Sequence, residues 1–207
     1  MPEVLPADDP EALDAAADAL LAGGIVGMPT ETVYGLAVLP LAEPLDALVK
    51  AKRRPAEKGI ALLIDGLDQV DLLVVVGAAA QRLAAQFWPG PLTLALPIRD
   101  GVRLPEALTG GRHTLGVRIP DHPVPRAMAR RLGPLAVSSA NLSGEPEART
   151  AAELVEAVGD SITLVLDGGP LRAQASSTVV GFTPDDAPVF FRVGPLSEEQ
   201  IRAALEG

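Results

Sequence analysis

The chain has no cysteine and only two histidines among its 207 residues. Without cysteine there is no disulfide framework and no thiolate to act as nucleophile or zinc ligand. Two histidines are too few for a multi-histidine metal centre. No apolar run approaches the ~20 residues that a helix needs to cross a bilayer. The start, Met1-Pro2-Glu3, also lacks the positive region and apolar segment of a secretory signal. The expectation is therefore a soluble, cytoplasmic protein with no membrane partner. Positive charge is also scarce: 17 Lys and Arg stand against 27 Asp and Glu, a net charge of −10. Non-specific nucleic-acid binding needs many cations facing the phosphates, so a broad footprint on nucleic acid is disfavoured. A small anion held by a local basic cluster is compatible with this balance. There is no Gly-x-x-x-x-Gly-Lys-Ser/Thr phosphate loop, no Gly-x-Gly-x-x-Gly fingerprint and no Gly-x-Ser-x-Gly nucleophile elbow.

What is present suits one α/β domain spanning 1–207. An apolar content of 48% is enough for one sizeable core. Helical periodicity follows Asp9-Pro10 and ends at Gly23-Gly24. Strands are expected at 25–28, 59–63, 92–97, 115–119, 135–138, 162–166, 177–181 and 188–193. Helices are expected at 67–75 and 77–87, from a cap at Asp121 to about Leu132, after a Thr150/Glu153 capping box, and after Ser197 with Gln200 three positions on. Asp100 to Arg112 reads as an exposed loop. Some strands follow one another without an intervening helix, which predicts a twisted sheet with both parallel and antiparallel neighbours, flanked by helices.

Chemistry concentrates at strand ends. Pro29 stops a buried strand, so that Thr30, Glu31, Thr32 and Tyr34 present polar groups at its end, where open α/β sheets bind ligands. The segment Lys50–Lys58 carries five positive charges in an acidic chain. Of these, Lys52, Arg54 and Lys58 are the candidates for an anion, and Pro55 restricts Arg54 to an extended geometry. A plain alternative is that these cations stabilise a helix C-terminus. Ser139 and Asn141 form a second polar strand end, and Ser176-Ser177-Thr178 a third. Arg118 and Arg192 each sit within an apolar strand and need an anionic partner, either a structural carboxylate or a ligand, because burying a lone charge is costly. His122, in Pro-Asp-His-Pro, reads as a helix-entry residue rather than a base.

Pro29–Leu36, Lys52–Gly59, Phe87–Thr93, Val117–Pro120, Ser139–Gly144, Asp167–Gly169 and Ser177–Val179 occur in the order of the motifs of the YrdC-like family of threonylcarbamoyl-AMP synthases, which the chain closely resembles over nearly its whole length. The resemblance implies formation of threonylcarbamoyl-AMP and pyrophosphate from L-threonine, bicarbonate or carbon dioxide, and ATP. The product would serve N6-threonylcarbamoyladenosine formation at tRNA position 37, through downstream tRNA threonylcarbamoyl-transferase proteins. It places threonine near Thr30, Arg118 and Ser177, and the nucleotide near Arg54, Lys58, Thr114, Ser139 and Arg192. Lys52 and Asn141 match the family's Lys-x-Arg and Ser-x-Asn pattern and are expected in the same pocket. Lys52 and Arg54 are the expected catalytic pair, and together with Lys58 they are expected to neutralise a triphosphate with Mg²⁺ bridging its oxygens. A monovalent cation is a further expectation, and direct tRNA contact is expected to be weak. Two rivals share parts of this pattern: a non-catalytic RNA-binding module, and a carbamoyl-transfer domain of the hydrogenase-maturation type.

Overall fold

The computed structural model describes residues 1–55, 57–171 and 175–206. Ten strands form one sheet: β1 (Glu3–Pro6), β2 (Val26–Met28), β3 (Gly35–Val38), β4 (Ala61–Leu63), β5 (Leu92–Pro97), β6 (Thr114–Arg118), β7 (Leu135–Ser139), β8 (Leu164–Asp167), β9 (Thr178–Phe182) and β10 (Pro188–Arg192). Their order across the sheet is β1-β8-β2-β3-β7-β4-β6-β5-β9-β10. The neighbours β1/β8, β2/β8, β4/β6 and β5/β9 run parallel, and the other five pairs antiparallel. The mixed sheet expected from directly successive strands is therefore what forms.

The helices are α1 (Pro10–Leu21), α2 (Ala42–Lys52), α3 (Ala78–Phe87), α4 (Glu106–Thr109), α5 (Pro123–Leu132), α6 (Ala151–Val158) and α7 (Glu198–Glu206). Their starts follow local chemistry. Asp9 caps α1 by accepting from the Glu11 amide at 2.9 Å, with Pro10 in the first turn. At α7 the box is reciprocal: Ser197 Oγ accepts from the Gln200 amide at 3.2 Å, and Gln200 Oε1 from the Ser197 amide at 2.9 Å. Thr150 caps α6 through the Glu153 amide, while the Glu153 carboxylate reaches one residue further back, to the Arg149 amide. No helix among the described residues is long and apolar enough to cross a membrane.

Period-2 alternation splits the packing between two sheet faces. On β3, Leu36 and Val38 enter one core while Ala37 enters the other, beside the small face of α1 made by Ala12, Ala16, Ala17 and Leu20. On β5, Leu92, Leu94 and Leu96 point into the larger core, and so do Leu115 and Val117 on β6. That leaves Thr93, Ala95, Thr114, Gly116 and Arg118 on the opposite face. There the central strands form the floor of a cleft.

Several expectations are corrected. The helix expected over 67–75 is a single 3₁₀ turn, Leu67–Val70, after which the chain is irregular and Val74 makes an isolated bridge with Ile98. The β-branched run Val74-Val75-Val76 disfavours continuing a helix, and burial of Val70 and Val74 fixes the segment instead. The cap of α5 is His122, whose Nδ1 accepts from the Val124 amide at 3.3 Å, and not Asp121. Pro123 at the first helical position holds the preceding residue extended, so the cap falls on His122. The segment 100–112 contains α4, whose Leu108 is buried. Strands β1 and β3 were not expected, and other boundaries move by one or two residues.

Gly110, at φ +60°, ends α4 against the 57–59 loop. A Cβ there would collide with the Glu57 carbonyl and lie 2.7 Å from the Gly59 amide nitrogen. Gly110→Ala is expected to cost about 1–3 kcal/mol from strain and clash together. Chemical denaturation should show it as a lower midpoint at unchanged slope.

Candidate functional site

The cleft has a volume of about 320 Å³. Its floor crosses β3, β7, β4, β6, β5 and β9 through side chains on one face of the sheet, and its walls come from the strand-end loops and β10. Seven of the ten candidate residues line it: Thr30, Arg54, Thr114, Arg118, Ser139, Ser177 and Arg192. Lys52, Lys58 and Asn141 do not.

Arg118 ends β6 on the cleft face and is 6% exposed. Its Nε donates to the Gly90 carbonyl at 3.0 Å and one terminal nitrogen, Nη2, to Thr32 Oγ1 at 3.1 Å. The same nitrogen lies 2.6 Å from Glu31 Oε1, off hydrogen-bond alignment, so the Glu31 contact is ionic. The structural carboxylate that a buried strand arginine requires is thus Glu31. Two edges of the guanidinium are tied down, and the other terminal nitrogen, Nη1, has no hydrogen-bond partner among the described residues. A fixed fork with one free edge in a cleft is suited to a ligand carboxylate.

Beside it, Ser177 Oγ and Thr93 Oγ1 are 2.8 Å apart, and both residues are buried. Arg192 donates from Nε to the Ser177 carbonyl at 2.8 Å and from Nη2 to Ser177 Oγ at 3.2 Å. Thr178 points the other way and fastens the chain after β10: it donates to the Leu196 carbonyl and accepts from the Gly194 and Leu196 amides. The Thr30 hydroxyl donates to the Val33 carbonyl at 2.7 Å and accepts from the Thr32 and Val33 amides. That is the work of a residue shaping its own turn. Thr32, in turn, is the member of the loop that hydrogen-bonds Arg118, beside the ionic contact of Glu31. Tyr34 is wholly buried, and its hydroxyl holds the Asp167-Gly168-Gly169 turn by accepting from the Gly168 amide at 3.0 Å and donating to the Gly169 carbonyl at 2.9 Å. Burial pushes that phenol up to about 12.

At the other wall, Arg54 donates from Nε to the Lys58 carbonyl at 2.8 Å, from Nη2 to the Gly59 carbonyl at 2.6 Å and from Nη1 to Ser138 Oγ at 3.3 Å. The loop that supplies the basic cluster therefore folds around its own arginine, and the exposed Lys58 side chain points clear of the cleft lining. Burial lowers the Arg54 pKa, with the nearby Arg192 charge adding to the effect.

Lys52 departs furthest from expectation. It is 1% exposed, and its ammonium donates to the carbonyls of Ser139 and Asn141 (2.6 Å for the latter) and to Asn141 Oδ1 at 3.1 Å. Asn141 Oδ1 also accepts from Ser139 Oγ at 2.7 Å, and its Nδ2 donates to the Glu145 carbonyl at 2.6 Å. Lys52 and Asn141 are the hub on which the 139–145 loop is hung, one layer behind the cleft.

Desolvation, reinforced by the Arg54 and Lys58 charges and partly offset by Glu147, brings the Lys52 pKa down from 10.5 to about 8. Between pH 8 and the unfolded value near 10.4, the unfolded chain holds a proton that the folded chain has shed, so this group adds stability as pH rises through that window. Over the same range the loop loses one of its three donated bonds. Nucleotide affinity is expected to fall above pH 8 while the melting temperature gains from this group, and Lys52→Met should remove both trends. Titration calorimetry and melting curves between pH 7 and 9.5 check the pair of opposite slopes.

Thr32 and Ser176, read from the sequence only as members of polar strand ends, also line the cleft, and sequence reasoning missed Thr93, Ser138, Arg112 and Phe191. For Thr93 the signal was available: it alternates with Leu92 and Leu94 on an otherwise apolar strand.

The family model described as "Telomere recombination", for Sua5, YciO and YrdC, matches residues 18–194. The threonylcarbamoyl-AMP synthase of Bacillus subtilis strain 168 is 38% identical over 206 residues, covering 97% of this chain and 58% of that protein. A putative threonylcarbamoyl-AMP synthase of Mycobacterium tuberculosis H37Rv is 35% identical over 211 residues, covering 99% of this chain and 96% of that one. The crystal structure of Pyrococcus abyssi Sua5 complexed with L-threonine superposes with a TM-score of 0.88 at 34% identity, covering 99% of this chain and 60% of that one. The chain thus spans rather more than half the length of the first two curated relatives it matches. An alignment this complete in sequence and in fold makes the chain a member of the Sua5/YciO/YrdC family.

Proposed function

We propose that the chain is a threonylcarbamoyl-AMP synthase, using L-threonine, bicarbonate or carbon dioxide, and MgATP, acting in the cytoplasm and handing its product to tRNA threonylcarbamoyl-transferase proteins. The observation that carries this reading is the polarity of the cleft. Its charged lining residues among those described are the arginines 54, 112, 118 and 192, accompanied by Ser and Thr hydroxyls, with no carboxylate, imidazole or lysine. Such a lining suits anions and offers no covalent nucleophile other than hydroxyls, of which all but that of Thr114 are engaged in hydrogen bonds among the described residues.

In this reading the free edge of Arg118 takes the threonine carboxylate beside Thr32 and Ser177. The threonine nitrogen adds to carbon dioxide, forming the carbamate C–N bond and losing a proton to solvent. A carbamate oxygen then attacks the α-phosphorus, and the bond to the bridging oxygen breaks to release pyrophosphate. Arg54 and Arg192 flank the position between the threonine end and the Thr114 end, where the phosphates would lie. Fixed cations in a partly desolvated cleft stabilise charge that grows during the transfer, so positioning and electrostatics account for the rate. The described residues hold no cluster of three or more acidic, His or Cys ligands. Mg²⁺ would be brought by the nucleotide and would neutralise charge on its phosphates, beside Arg54 and Arg192.

The test is pyrophosphate release from the purified chain with each substrate withheld in turn. Release that requires threonine, bicarbonate and ATP together is the expected result. Release independent of threonine would refute the assignment.

A further inference from the structure

The arginines of the cleft bring like charges together, and among the described lining residues no carboxylate answers them. One carboxylate stands directly behind that lining. Glu147 is partly buried, and its side chain accepts a hydrogen bond from the hydroxyl of Ser176, a buried residue of the cleft wall. The backbone around Glu147 is fixed to its neighbours. The Ala148 amide donates to the Ala140 carbonyl at 3.2 Å, the Ala148 carbonyl accepts from the Tyr34 amide at 3.1 Å, and the Arg149 carbonyl accepts from the Leu171 amide at 2.9 Å. Ser176 is confined by a second neighbour. Gly194 packs on it so closely that a Cβ there would collide with the Ser176 carbonyl and stand 2.9 Å from the Ser177 carbonyl carbon. The next residue, Ser177, carries the hydroxyl that meets Thr93 and Arg192. The Glu147 charge also reaches Arg192 through space: burial lowers the pKa of that guanidinium, and the carboxylate opposes the shift.

We propose that Glu147 is a positioning residue of the cleft with two separable effects: its hydrogen bond to Ser176 sets the place of the Ser177 hydroxyl at the threonine end, and its fixed negative charge limits how tightly the Arg192 side retains a polyphosphate. A cleft answered by arginines alone would hold the pyrophosphate it releases. A like charge behind Arg192 weakens that hold without occupying the lining. A unit charge several ångströms from a bound anion in a partly desolvated site changes its affinity by roughly three- to tenfold. The inference rests on the reading of the cleft as the place where threonine meets ATP, and it adds a residue that tunes the release of one product.

The experiment is calorimetric titration of the purified chain and its Glu147→Gln, Glu147→Ala and Ser176→Ala variants with inorganic pyrophosphate and, separately, with L-threonine. Glutamine keeps the shape and an acceptor for the Ser176 hydroxyl while removing the charge. Glu147→Gln should therefore bind pyrophosphate roughly three- to tenfold more tightly, with threonine within about twofold. Ser176→Ala keeps the charge and loses the hydrogen bond, so threonine should weaken by roughly three- to tenfold, the range for one hydrogen bond of ordinary strength, and pyrophosphate should not tighten. Glu147→Ala should show both changes at once, in opposite directions. A purely structural carboxylate would instead weaken both ligands in step with the melting temperature, and that result overturns the proposal. So does a folded Glu147→Gln variant whose pyrophosphate affinity is unchanged or reduced, or a Ser176→Ala variant with wild-type threonine affinity. A wild-type chain that binds neither pyrophosphate nor threonine overturns instead the reading of the cleft on which the proposal rests.

Discussion

Replacing Arg118 by alanine should weaken threonine binding by roughly 10- to 100-fold while leaving ATP affinity within about threefold. The range corresponds to losing a charge-assisted contact of about 1.5–3 kcal/mol. Specificity for threonine over ATP is expected because the free edge of Arg118 is at the Thr32–Ser177 end of the cleft, away from Arg54 and Thr114. The same substitution leaves the Glu31 carboxylate without its cation. Breaking a buried pair costs about 3–5 kcal/mol; Glu31 keeps 20% side-chain exposure, so roughly 2–3 kcal/mol of stability should be lost. Glu31→Gln separates the two effects: it should lower stability modestly and leave threonine binding largely intact, since Gly90 and Thr32 still hold the guanidinium. Equal loss of both substrates in a folded Arg118→Ala protein would contradict the division of the cleft.

The second large effect concerns Lys52. Lys52→Met orphans the Asn141 carbonyl, at about 1–3 kcal/mol, while the Ser139 carbonyl keeps the Asn141 amide and Asn141 Oδ1 keeps the Ser139 hydroxyl; it also relieves the desolvation of a buried ammonium, which is of similar size. Net stability should therefore change by no more than about 2 kcal/mol. Activity should fall at least tenfold, because Ser139 loses the anchor that sets its position in the cleft. Lys52→Arg is the informative companion. A planar guanidinium cannot reproduce three donors converging from one nitrogen, so it should be as impaired as Lys52→Met. A lysine that touched phosphate directly would tolerate arginine well. Steady-state kinetics on both variants, beside their denaturation curves, distinguishes a loop anchor from a phosphate ligand.

Much of this architecture could be read from local pattern. The strands of the central sheet, the helix starts at Asp9, Thr150 and Ser197, and the mixed strand directions follow from periodicity and capping chemistry. Strand β1 was not legible because Glu3–Pro6 carries no apolar alternation and forms only by pairing with β8. Strand β3 was hidden inside a segment read as a polar turn. At the site, the residue types were legible and their orientations were not. Arg118 reads as a buried charge either way, and only the fold shows that Glu31 answers it ionically while one edge stays free. Lys52 and Arg54 look equivalent in a run of cations. Lys52, the last residue of α2, goes under the 139–145 loop, whereas Arg54, past the left-handed Arg53, enters the cleft. Phe191 was invisible for a related reason, since Phe190 and Phe191 alternate faces and sequence does not say which face is open.

The measurement that bears most directly on the account is isotopic. The purified chain is incubated with MgATP, L-threonine and ¹³C-labelled bicarbonate, and the products are examined by mass spectrometry. The account predicts an acyl-adenylate that carries the labelled carbon between the threonine nitrogen and the phosphate, and that is absent when threonine is omitted. A chain that binds ATP and threonine yet produces only unlabelled AMP, or no adenylate, would contradict it.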